Sequence, residues 1–70
     1  MTKFATRLAE VRKAKGLNQT QLANMLNVKQ TTVSGWEIGR HEPNYDLLRQ
    51  IIIILECDAN YLLGVVDFIS

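Results

Sequence analysis

The residues with most to offer chemically lie between Gln19 and Trp36. Two short segments of helical periodicity meet there in a tight turn. On a helical wheel the second places Gln30, Thr31, Ser34 and Gly35 opposite Val33 and Trp36. That outer face is small, polar and uncharged, and narrow enough to enter a major groove; a solvated helix surface is its plainer reading. Catalysis is not indicated. Ser34 and His41 flank Gly39, but no third group orients them, and the sequence shows neither a catalytic carboxylate pair nor a glycine loop for phosphate. His41 lacks Cys, His or carboxylate neighbours at ligand spacing, so no metal is expected. No cofactor or small-molecule substrate is implied.

The elements that position this face are short helices. Phe4, Leu8 and Val11 recur at helical spacing beside Ala5 and Ala9, with Thr2 as a cap and Gly16 as a stop. Asn18 caps a second helix whose Leu22, Ala23 and Leu26 form a stripe, and Asn27 ends it, because asparagine tolerates a left-handed backbone. Ala23 is small enough for a neighbouring helix to cross closely. A third helix runs from about Lys29 to Glu37, with Val33 and Trp36 inward and Gly39 as its terminator. Pro43 and Asn44 open a fourth, from Tyr45 to Leu55, with Leu48, Ile51, Ile52 and Leu55 as the core stripe. Asp58 caps a last short helix that Gly64 closes. The fold class is all-α, a compact bundle of five short helices over residues 1–64, followed by an apolar tail at 65–70.

Seventy residues bound the rest. One domain is the most they can form, with a core burying about 60% of the unfolded chain's surface. Cys57 is the single cysteine, which excludes an internal disulfide and fits a reducing cytoplasm. No apolar run reaches the roughly 18 residues needed to span a bilayer, so no membrane partner is expected. Net charge is only +1, but it is unevenly spread. Lys3, Arg7, Arg12, Lys13 and Lys15 face only Glu10 in residues 1–16, a local +4, whereas Glu56, Asp58 and Asp67 leave residues 56–70 at −3.

The segments RLAEVRKAKGLNQTQLANMLNV, KQTTVSGWEIGRHEPNYDLL and LECDANYLLG together resemble the lambda-repressor/Cro-type helix-turn-helix family, also called the XRE family. They cover the chain from Arg7 to Gly64 in the family's order and spacing. The resemblance implies a lambda-repressor-like fold and a sequence-specific DNA-binding transcriptional regulator, a repressor of bacterial or phage origin, whose partner is double-stranded operator DNA. It implies that Gln19 touches a phosphate and braces the recognition helix. Base edges would be read by Lys29, Gln30, Thr31 and Ser34, which suits the groove chemistry of these side chains. Gly35 stands where the family often has a base-reading side chain, and its compensation would be closer approach to the groove. Arg40 would contact phosphate from the following loop, helped by a protonated His41; Arg7 and Arg12 are further phosphate candidates. Arg12 and Glu37 match a structural ion pair. Cys57 falls at a position the family buries. Glu56 stands where the family commonly has glycine, so a different turn is expected between helices 4 and 5.

The apolar surplus is unexpected. Ile51 to Leu55 are five consecutive large aliphatics, more than one helix face can bury. Ile53, Ile54, Phe68 and Ile69 are therefore expected at a homodimer interface, the alternative being a tail folded over a satisfied core. Two other roles suit the same domain: an antitoxin whose apolar tail holds a toxin, and a protein-interaction module without DNA binding. The resemblance is equally compatible with the N-terminal domain of a longer repressor.

Overall fold

The computed structural model describes residues 3–67. They form α1 (Lys3–Ala14), α2 (Gln19–Leu26), α3 (Gln30–Glu37), α4 (Tyr45–Leu55) and α5 (Ala59–Leu62), with no strand among them. The expected helices and their order are all present. Thr2, expected to cap α1, lies outside the described residues.

Local chemistry sets the helix starts. Asn18 accepts from the Gln21 N–H while the Gln21 side chain accepts from the Asn18 N–H, a reciprocal box at the head of α2. Asn44 accepts from Leu47 N at 2.8 Å, and Asp58 accepts from Asn60 N at 2.9 Å. The ends repeat one device: a residue at positive φ follows each helix, at Gly16, Asn27, Gly39, Glu56 and Gly64. At α3, Arg40 N donates to Gly35 O at 2.9 Å and Gly39 N to Trp36 O at 3.3 Å, which closes the helix and directs the next loop. Glu56, at φ 49°, makes the same turn that glycine makes elsewhere. The different turn expected between α4 and α5 is therefore absent; an ordinary side chain simply bears the cost of a left-handed backbone.

The core is one cluster. Trp36, Leu8, Leu22, Ile51, Leu55, Leu62 and Val33 are fully buried, and Phe4, Val11, Ala23 and Leu26 complete it. α3 packs against α2 and α1, α5 against α1, and α4 against α2. Ala23 is 1% exposed at the centre of this packing, as its size required. In α4 only Ile51 and Leu55 are buried outright, while Leu47, Leu48, Ile52 and Ile54 pack partly against the core. Ile54 therefore departs from the expected outward position. Ile53 does not, being 65% exposed. Phe68 and Ile69 lie outside the described residues.

Candidate nucleic-acid interface

The interface begins in the core. Arg12 and Glu37 face each other as a buried bidentate pair, Nε to Oε2 at 2.7 Å and Nη2 to Oε1 at 3.0 Å. Arg12 also donates from Nη1 to Leu17 O at 2.8 Å. The hydrogen bond to Glu37 holds the Arg12 guanidinium charged, raising its pKa against the opposing effect of burial. The structural ion pair expected from the resemblance is thus present. Its completeness removes Arg12 as a phosphate donor, since the side chain is only 8% exposed.

Two further bonds carry this pair to the surface. Gln19 Nε2 donates to Glu37 Oε1 at 3.0 Å, and Gln30 Nε2 donates to Gln19 Oε1 at 2.7 Å. The first residue of α2 therefore joins the buried carboxylate to the first residue of α3. Gln30 is exposed, and its remaining amide hydrogen and Oε1 are the donor–acceptor pair that matches the major-groove edge of adenine. Lys29 takes the N-cap position of α3 through its backbone alone, without a side-chain capping bond. Lys29 and Thr31, both exposed, flank Gln30 along the chain, and Ser34, half-buried, lies one turn on.

Two sequence-based expectations are redirected here. Gly35 is buried rather than open, because the imidazole of His41 lies over it; a Cβ at that position would stand 2.3 Å from His41 Nε2. Gly35 therefore offers no base contact of its own. Arg7 faces the opposite seam, donating from Nη1 to Tyr61 O at 2.7 Å and to Val66 O, with its guanidinium 4.1 Å from the Tyr61 ring centroid. It fastens α5 and the start of the tail to α1 and is not offered to a phosphate. Arg40 fits its expectation better: it is exposed in the loop after α3, and no side-chain bond holds it among the described residues.

The linkages through Gln19 and the bonds of Arg7 join residues far apart in sequence, and the seat of His41 on Gly35 depends on the path of a loop; periodicity reveals neither. Tyr61 is a further case: its hydroxyl donates to Glu10 at 2.8 Å, and that bond raises the phenol's pKa. Burial likewise pushes the Cys57 thiol up, which leaves it a packing residue against the core. Among the described residues no group of His, Cys, Asp or Glu is placed to hold a metal ion, and no helix is long and apolar enough to cross a membrane.

Two helices joined at Asn27, the second presenting a braced polar face, define a helix-turn-helix DNA-binding domain. The chain belongs to the helix-turn-helix family, whose model matches residues 8–62. It is 35% identical over 60 residues to the HTH-type transcriptional regulator YqaE of Bacillus subtilis, covering 86% of this chain and 52% of that protein. The ImmF control region 10 kDa protein of Bacillus phage phi105 is also 35% identical over 60 residues, of which this chain covers 67%. The chain thus spans about half the length of the first of these relatives. Among solved structures, the P22 c2 repressor in complex with a synthetic operator superposes with TM-score 0.79 at 32% identity, over 86% of this chain and 91% of that one. The restriction-modification controller protein of Aeromonas hydrophila gives 0.78 at 31% identity, over 87% and 92%. These similarities set the chain among helix-turn-helix domains of the kind found in transcriptional regulators and phage repressors.

Proposed function

We propose that this chain represses transcription in the cytoplasm of a bacterial cell by docking, as a homodimer, on a two-fold symmetric operator. Gln30, Thr31, Lys29 and Ser34 read base edges, and Gln19 and Arg40 hold phosphates. The observation that carries this reading is the bonded series from Arg12 through Glu37 and Gln19 to Gln30. It fixes an exposed amide at the head of α3 before DNA arrives, and preorganisation of that kind lowers the cost of binding. Gln19 keeps one amide hydrogen for a phosphate oxygen. In a dimer the two α3 helices enter successive major grooves about 34 Å apart.

A second copy has a surface to meet. Tyr45 is 77% exposed and Ile53 65%, both on α4, and Val65 is 69% exposed where the tail begins. Ile53 replaces Ile54 as the α4 residue best placed for that contact, and Phe68 and Ile69 remain candidates to extend it.

Titration of the protein against an enriched duplex over a range of KCl tests the reading. Each phosphate contact contributes about −0.9 to the slope of log affinity against log salt, so Arg40→Ala, which removes one contact from each copy of the dimer, flattens the slope by about 1.8. Gln30→Ala instead relaxes one symmetric pair of base positions by about 1–3 kcal/mol. Binding that ignores both salt and Gln30 contradicts the proposal.

A further inference from the structure

Gly35 lies on the same row of α3 as Thr31, one turn further on, because residues four apart share a helix face. The row would end at Thr31 if only α3 supplied side chains. It does not end there. The tip of the His41 imidazole occupies the space that a side chain at 35 would enter: a Cβ built on Gly35 would stand 2.3 Å from Nε2, 2.8 Å from Cε1 and 3.0 Å from Cδ2. The loop is brought to this place by the end of α3 itself, where Arg40 N bonds Gly35 O at 2.9 Å. His41 is exposed, and no hydrogen bond or ion pair engages its ring among the described residues. An imidazole nitrogen without a partner therefore lies against the polar face of the recognition helix.

We propose that His41 supplies from the loop the base-reading side chain that Gly35 lacks, its Nε2–H donating to N7 of a purine in the major groove. The inference rests on the DNA-binding reading above and adds a specificity-determining residue to it. Both purines carry an N7 acceptor in that groove, so His41 selects purine over pyrimidine at one symmetric pair of positions. Gly35 is required because any side chain there evicts the ring. Eviction itself is easy, since the imidazole is the far end of an exposed side chain, and alanine forms helix better than glycine.

The test is selection from a randomised duplex pool with wild type, His41→Ala, Gly35→Ala and the double variant, with thermal unfolding of each. Wild type should enrich a site carrying a purine at the pair in question. Both single variants should lose that preference by about fivefold per half-site, the worth of one hydrogen bond, with the double variant no worse than His41→Ala alone. Gly35→Ala should unfold no earlier than wild type, which separates lost reading from lost folding. Replacing the purine by its 7-deaza analogue should weaken wild type and leave His41→Ala unaffected. Variants that keep the wild-type preference, or that relax different positions from one another, overturn the role of His41 while the DNA-binding reading stands. A deaza analogue bound as tightly as the purine overturns it too. A wild-type protein that enriches no duplex overturns the DNA-binding reading, and this role with it.

Discussion

Burying Glu37 beside Arg12 costs solvation that their bidentate contact and the added bond from Gln19 offset. Removing one partner leaves the other charge stranded, so Glu37→Ala should destabilise the fold by about 3–5 kcal/mol. Urea unfolding measures this, and a loss well under 1 kcal/mol would place the pair outside the structural core. The opposite sign is expected at Glu56, which holds φ 49° with a side chain attached. Glu56→Gly should raise stability by about 1 kcal/mol, read as a higher thermal midpoint. Residue types announced part of this. The family resemblance pointed to the ion pair of Arg12 and Glu37, and the polar periodicity of α3 placed Gln30 and Thr31 on its outer face, where both are exposed. The seat of His41 on Gly35 was not legible, because it depends on the path of a loop and not on a period. For the same reason the sequence suggested a bare glycine approaching the groove.

Helices were the most legible element, since an apolar stripe and a stop, joined at α2, α4 and α5 by a polar cap, act within a few residues. How the helices are fastened together was less so. Arg7 reads as one more cation in a basic segment, yet its guanidinium binds the carbonyls of Tyr61 and Val66 and stacks on Tyr61. Those partners lie more than fifty residues along the chain, beyond any local pattern. The element-scale consequence is specific. Arg7→Ala should lower stability by about 1–2 kcal/mol, from the loss of charge-assisted bonds to carbonyls, while the salt slope of DNA binding stays at the wild-type value. A flattened slope with unchanged unfolding would return Arg7 to the phosphates. The loop after α3 is the counterpart: backbone bonds from Gly39 to Trp36 and from Arg40 to Gly35 fix the start of its path.

At the scale of the whole molecule, a domain this small offers one short helix to a groove, and the proposed homodimer would lengthen the contact to two half-sites. The apolar run in α4 shows how the sequence overstated its surplus. Five aliphatics in a row suggested two outward residues, but Ile54 turns onto the core and Ile53 alone is largely exposed. Ile53→Lys should therefore yield monomers in sedimentation equilibrium with unfolding little changed; a dimer that persists would move the interface elsewhere. The uneven charge was a poor guide to the DNA face, since two of its arginines are consumed inside the fold. The measurement that bears most directly on the whole account is the pattern of sites recovered from a randomised duplex pool. The account predicts a two-fold symmetric site whose half-sites are centred about one helical turn apart, bound less tightly as salt rises. Recovery of no enriched sequence at any salt, or of an asymmetric site bound by a single copy, would contradict it.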